Sequence, residues 1–539
     1  MGPTIHLLGV PRVLRHDGTP VALRGRKAWG LLAFLLLGRE SVSRQHLARL
    51  LFEDAEDPLA ALRWNLTELR RALGQDSLRG DPLHIDRGAL GPVDLDVLLR
   101  GNAQDGAQLP GLGHVLLEGL SFAGSPSFEV WIEAERRRIQ STAQAVLHEA
   151  ALARLAAGAN DEAVALASRL VALDPLDENA QVLLVRSLAT AGDGIAAARQ
   201  AATCRELFRR ELGVLPGPAL TDALHTATSA PIAHAATGRA GVIAQLDAGE
   251  AAIGAGVLDA GLQCLRRAIA EADLVGDPLL RTRARVALGG ALVHAARGRD
   301  AEGAAALHEA LAIGTEAAPG LAAAACRELG YVEFLLGRYE RALAWLERAD
   351  PLAGKDVTEH ARIATLQGSV LSDRAYYDAA LERLEHAGAL CAEAGDARQR
   401  VYVDAMVGRV LLLTGRLDEA CATLDHCIVQ ARSLWTAFLP WPQAFRAEID
   451  LLQGRTDAAA ERFAQAFALG CQLADPCWEG IARRGMGLVA AARGDTAGAL
   501  AILLEALERC GRLPDAYVWA SAYGLDALCH VAIAAQGGR

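Results

Sequence analysis

The chain has 539 residues, 52% of them hydrophobic but only 5% aromatic, so its apolar content is carried by Ala and Leu. That is the composition of packed helices and excludes an all-β protein, while the length calls for several domains or a repeat array. With 54 Lys and Arg against 65 Asp and Glu, the net charge of −11 excludes a chain-wide polyanion binder and confines any nucleic-acid contact to a local surface.

The longest uninterrupted apolar run lies within Trp29–Leu37, short of the ~20 residues a spanning helix needs, and no basic-then-apolar leader follows Met1. A cytoplasmic protein with no membrane partner is expected. All ten cysteines lie beyond residue 200 without a CxxC pair and read as small buried apolar side chains. The nearest approach to a metal set is Cys421, His426 and Cys427. Those helical spacings do not converge on one ion, so neither a metal nor a cofactor is expected.

Short β-like runs open the chain at Ile5–Leu8, Arg12–Leu14 and Val21–Leu23, separated by Gly- and Pro-containing turns. Helical patterns follow at Lys27–Leu37, at Arg44–Leu51 behind the N-cap candidate Ser43, and at Pro58–Leu73 behind Asp57, with Gly74 as the stop. Residues 78–86 then read as two β pieces around a turn. Sheet, three helices and hairpin are the order of a winged helix-turn-helix.

In that architecture the third helix enters the major groove. At ~100° per residue, Leu62, Leu66, Leu69 and Leu73 form the core stripe, while Trp64, Thr67, Glu68 and Arg71 point the opposite way. From Trp64 to Arg71 the helix rises about 10 Å, enough to lie across a few base pairs. Arg71 suits a guanine edge or a phosphate, and Trp64 or Thr67 a thymine methyl, with Arg63 and Arg70 on phosphates along the groove wall. Glu68 repels phosphates unless it accepts from a cytosine amino group or pairs with an arginine. The hairpin adds Arg79, His84 and Arg87 for the minor groove or its phosphates, and Ser43 and Arg44 begin a helix whose N-terminus offers amides to a phosphate. An ordinary solvated helix face or surface turn is the competing account of each of these residues. Residues 1–100 hold 14 basic and 12 acidic residues, a charge of +2 in a chain of −11, which places the basic bias where this reading needs it.

Beyond residue 100 the pattern is helical, and a frame repeats. Gly330, Gly337, Tyr339, Ala342, Leu346 and Ala349 are matched by Gly368, Ala375, Tyr377, Ala380, Leu384 and Ala387. Further copies start at Gly408, Ala447 and Gly487, so successive starts lie 38, 40, 39 and 40 residues apart. The spacing resembles tetratricopeptide repeats (TPR) lengthened beyond ~34 residues, which stack as an α-solenoid. Weaker copies lie at Gly256–Leu265 and Gly298–Leu307, with the first half of the frame out of step, and Thr221–Arg239 reads as the boundary of the array. Within it, Trp435, Phe438 and Trp441 either line a ligand or partner groove or fill a seam between two repeats.

The segments Arg26–Leu37, Val42-Ser43-Arg44 and Ala61–Gly74 resemble the winged helix of the antibiotic-regulatory-protein (SARP) transcriptional activators. Phe128, Trp131, Glu133–Arg136, Asp174-Pro175, Phe208–Gly213 and Pro216–Leu220 resemble the bacterial transcriptional activator domain (BTAD) that follows it there. The resemblance implies binding to promoter direct repeats of double-stranded DNA, dimer formation and contact with RNA polymerase. Glu68 and Trp64 depart from the family's usual residues, so no operator sequence carries over. The expected fold is mainly α, with a winged helix at 1–99, a BTAD at 100–230 and a TPR-like array at 240–539. No GxxxxGK[ST], GxSxG or HExxH is present, and Gly354-Lys355 is followed by Asp356, so neither ATP-driven switching nor an enzyme is expected. The function expected is a DNA-binding regulator whose array senses a peptide, protein or small molecule. The alternative is a TPR scaffold whose winged helix docks protein.

Overall fold

The computed structural model describes residues 2–38, 42–225, 238–254, 257–296, 298–512 and 516–537. The chain divides into two units, Met1–Ala230 and Pro231–Arg539.

In the first unit, β1 (Thr4–His6), β2 (Arg12–Leu14) and β3 (Pro20–Val21) form an antiparallel sheet in that order, with Ile5 opposite Val13 and Val13 opposite Val21. The outer strands are shifted from the runs expected. Leu8 leaves β1 to bridge Leu116, and β3 ends early because Gly25, at φ 88°, turns the chain into the first helix. Three helices follow: α1 (Arg26–Leu37), α2 (Arg44–Phe52) and α3 (Pro58–Leu73). The Asp57 carboxylate accepts from the Ala60 amide at 2.9 Å and Pro58 occupies the first turn, so α3 starts where its cap dictates. A hairpin of β4 (Leu78–Arg79) and β5 (His84–Ile85) completes the order of a winged helix. Backbone hydrogen bonds between Val42 and Leu83 fasten the hairpin to the segment that leads into α2.

The rest of this unit is helical: α4 (Asp94–Arg100), α5 (Ala103–Ala107), α6 (Pro126–Ala156), α7 (Asn160–Leu173), α8 (Glu178–Thr190), α9 (Gly194–Glu211) and α10 (Pro218–His225). Phe122 and Phe128 press against α1 at Gly30, where a Cβ would lie 2.8 Å from Phe122, and Trp131 packs on Phe34 with ring centroids 4.7 Å apart. Arg136 donates to the carbonyls of Leu116, Leu117 and Leu120, which holds the loop ahead of α6. The motif residue Phe208 is buried with Ala197, Ala201 and Cys204 against α8, and the Gly217 amide donates to Glu178 at 2.7 Å.

In the second unit, helices pair in chain order: α11 (Gly238–Gly254) with α12 (Leu258–Val275), α13 (Pro278–His294) with α14 (Asp300–Ala317), and α15 (Pro319–Leu335) with α16 (Tyr339–Ala353). The pairing continues through α17 (Val357–Asp373) with α18 (Tyr377–Ala394), and α19 (Ala397–Leu413) with α20 (Leu417–Leu434). The last pairs are α21 (Pro440–Leu452) with α22 (Thr456–Gln472) and α23 (Pro476–Ala492) with α24 (Thr496–Cys510), before a final helix α25 (Val518–Gly537). The first helix of each pair also packs on the first helix of the next, the arrangement of a TPR-like solenoid.

The repeated frame has a steric cause. Cβ atoms added at Gly368, Gly408 and Gly487 would lie 2.6, 2.5 and 2.8 Å from Leu384, Leu424 and Leu503, the frame leucines of the partner helices. The two early copies are full helical pairs. Gly249 stands against Leu265 with the regular spacing, whereas Gly289 stands against Leu307 across a turn two residues longer. Of the predicted boundary stretch Thr221–Arg239, residues 226–237 lie outside the described residues, as does Gly256.

Helix α25 is long and apolar enough to cross a membrane by length and composition, over Val518–Ala535 with mean hydropathy 1.3. A search for uninterrupted apolar runs passes over it because Asp526 and His530 fall inside. Here its Ala527 and Val531 pack against Ala499 and Leu503 of α24.

Candidate nucleic-acid interface and array cavity

Helix α3 is strongly two-sided. Leu62, Leu66, Leu69 and Leu73 are buried, each worth roughly 1.5–3 kcal/mol of transfer free energy, while Arg63, Thr67 and Arg71 are exposed and Trp64 keeps 52% of its surface in solvent. Trp64 lies over Gly25, whose Cβ would meet the indole at 3.3 Å, and a recess lined by Arg26, Phe52, Ala61 and Asn65 opens beside it. Glu68 pairs with Arg71 at 2.9 Å, which holds its carboxyl below the usual range. Arg71 also donates to the carbonyl of Ala22 at 2.5 Å, so the guanidinium is braced between α3 and the end of β3. The Thr67 hydroxyl donates to the Arg63 carbonyl, and the Arg63 guanidinium stands 3.7 Å from Asp57.

Other predicted contacts are engaged inside the fold. Arg70 donates through Nε and Nη2 to the carbonyl of Leu78, tying α3 to the hairpin. Arg87 binds Asp96 and the carbonyl of Leu36. Arg44 donates to the Gly80 carbonyl at 3.1 Å, and the Ser43 hydroxyl accepts from the His46 amide, capping α2. Arg79 pairs with Asp76 at 3.1 Å on the exposed hairpin, where His84 is also exposed. Sequence reasoning passed over Arg24 and Arg26, which are exposed on the segment beside Trp64. The signal was the basic run Arg24-Gly25-Arg26-Lys27, read only as the start of a helix.

In the array, the inner helices enclose a cavity of about 440 Å³. Arg327, Tyr331 and Phe334 of α15, Arg362 of α17, Arg398 and Tyr402 of α19 and Trp478 of α23 line it together with Trp435, Phe438 and Trp441. Trp435 stacks on Phe438 at 4.6 Å, Tyr402 meets Phe438 edge-on at 5.5 Å, and the Arg398 guanidinium lies 4.4 Å over Trp435. The three predicted aromatics therefore come together, with Phe438 and Trp441 buried and Trp435 partly open. Missed by the sequence reading was Tyr517, whose hydroxyl donates to Asp373 at 2.7 Å; Arg409, wholly buried, donates to the same carboxylate at 2.6 Å. Burial raises the Asp373 carboxyl and pushes the Tyr517 hydroxyl well above the usual range.

The fold thus joins a winged helix, a helical block and a TPR-like solenoid in one chain. Residues 102–227 match the family described as "Bacterial transcriptional activator domain". That domain lies behind a winged helix and ahead of TPR-like repeats.

Similar solved structures include Mycobacterium tuberculosis EmbR in complex with a low-affinity phosphopeptide, at 19% identity and TM-score 0.33, spanning 42% of this chain and 65% of EmbR. A tetratricopeptide repeat protein from Parabacteroides merdae matches at 14% identity and TM-score 0.35, over 54% of this chain and 99% of its own. Aspartyl phosphate phosphatase F from Bacillus subtilis matches at 14% identity and TM-score 0.42, over 68% of this chain and 94% of its own. No curated protein matches the chain.

Proposed function

We propose that the protein is a cytoplasmic, sequence-specific DNA-binding activator that reads promoter direct repeats through α3, contacts RNA polymerase, and is governed by its repeat array. The observation that carries this reading is the two-sidedness of α3: four leucines in the core, and Arg63, Trp64, Thr67 and Arg71 in solvent. Thr67 and Trp64 face bases, Arg71 is aimed by Glu68 and by the Ala22 carbonyl, and Arg63 takes a phosphate. Arg24 and Arg26 extend the cationic margin, while Arg79, His84 and the α2 N-terminus with Ser43 and Arg44 supply flanking backbone contacts. Arg70 holds the hairpin in place for that docking, and Arg87 ties the segment after it to the end of α1.

Domain bounds of 1–99, 100–230 and 240–539 fit this division of labour, with the middle block assisting dimer formation. Non-enzymatic action follows, since recognition needs shape and charge and no bond is made or broken. The test is a salt titration of the full chain on duplexes recovered by genome-wide footprinting. Phosphate-dominated binding falls steeply as salt rises, and a recovered site outcompetes random DNA of the same length. Equal affinity for the two duplexes removes the sequence-specific reading.

A further inference from the structure

The groove along the inner helices of the array is obstructed by the chain's own C-terminal segment. Tyr517 reaches Asp373 and Arg409 across it, and beyond lie Trp519, with Arg409 4.4 Å over its ring, and Tyr523, stacked on Trp519 at 4.6 Å. An extended strand has no free run past these rings. What remains open is the cavity of about 440 Å³, which lies in the size range of small-molecule sites.

Its walls combine apolar area with one cation, Arg398, that is uncommitted among the described residues. Eight lining side chains are Phe, Tyr or Trp, in a chain with only 5% of these residues. Most charges on the walls are already answered. Arg327 pairs with Glu328 and Glu359 at 2.5 and 2.7 Å, Glu328 also meets His294 at 2.6 Å, and Asp475 accepts from the Cys477 and Trp478 amides at the start of α23. Arg398 differs: it is exposed, stacks on Trp435, and among the described residues has no carboxylate in ion-pair range. Trp441, another wall, is buried with an indole N–H that has no acceptor among the described residues.

We propose that this cavity binds a small aromatic carboxylic acid, its ring against the wall formed by Trp435, Phe438 and Trp478 and its carboxylate on the Arg398 guanidinium. A guanidinium stacked on an indole presents its N–H edge to a planar anion, so one residue serves both halves of an amphipathic ligand. The inference rests on the reading of the array as a sensor and names what it senses.

The test uses the full chain and two probes: anilinonaphthalene sulfonate, an anionic aromatic fluorophore, and phenylnaphthylamine, which has the same rings and no charge. Each is expected to bind one-to-one, with Arg398→Gln weakening the sulfonate about tenfold and the uncharged probe less than about twofold. Trp435→Ala weakens both. Binding of neither probe, equal loss of the two in Arg398→Gln, or no loss at all overturns the proposal. Displacement of the sulfonate probe by a pool of linear octapeptides also overturns it, in favour of a peptide site. The sensor reading is tested separately, by promoter output after removal of residues 240–539. Failed probe titrations with altered output sink the cavity assignment alone, and successful titrations with unaltered output sink the sensor reading alone.

Discussion

At the scale of single residues, the arginines of α3 divide by where their guanidinium groups go. Arg63 is exposed with only a long pairing to Asp57, so Arg63→Ala should weaken binding to all duplexes alike and lower the salt slope by about one, read from a salt titration. Arg71 is braced between Glu68 and the Ala22 carbonyl, so on the proposed reading Arg71→Ala should cost roughly tenfold or more in affinity for the footprinted site and relax preference at one base position. Arg70 instead binds the Leu78 carbonyl through two N–H groups. Arg70→Ala should therefore lower stability by about 1–2 kcal/mol in denaturant titrations while leaving the salt slope unchanged. A different residue sets a pH response in the array. His308 is buried against Trp345, and burial pushes its pKa down from 6.5 to about 4. Below pH 6.5 the unfolded chain takes up a proton there that the folded chain refuses until about 4, so stability falls across that window as pH drops. The loss is at most about 3 kcal/mol, and His308→Gln should flatten that part of the stability–pH curve.

Elements differ in how much of themselves they declare in sequence. Helix α3 is legible from end to end because its cap, its Pro and its leucine spacing all lie within the helix itself. The helix pairs are legible for the same reason: a small residue and a leucine sixteen positions on must meet wherever two helices cross closely, as at Gly368 and Leu384. What the sequence conceals is where long side chains end. Arg63, Arg70 and Arg87 look alike along the chain, yet one reaches solvent, one a hairpin carbonyl and one Asp96, because the choice depends on which element folds over them. Tyr517 was hidden more deeply, since its partner Asp373 is 144 residues away and leaves no local period. That joint makes a further prediction at the level of helices. Asp373→Asn leaves the buried Arg409 without its counter-charge and should destabilise the array by about 3–5 kcal/mol, measured by thermal or denaturant unfolding.

For the whole molecule, stacked helix pairs ordinarily fold by nearest-neighbour rules, so that the end units fray first and the remainder persists. Tyr517 changes that connectivity, because it ties the last helix of the array to α17 and α19. A linear stack becomes a closed loop of dependencies. No pair between α17 and α24 can melt from the C-terminal side without also prising a tyrosine and an arginine off a buried carboxylate. Amide-exchange protection in these helices should then be lost as one block at a single free energy, and only the helices before α17 should open one pair at a time.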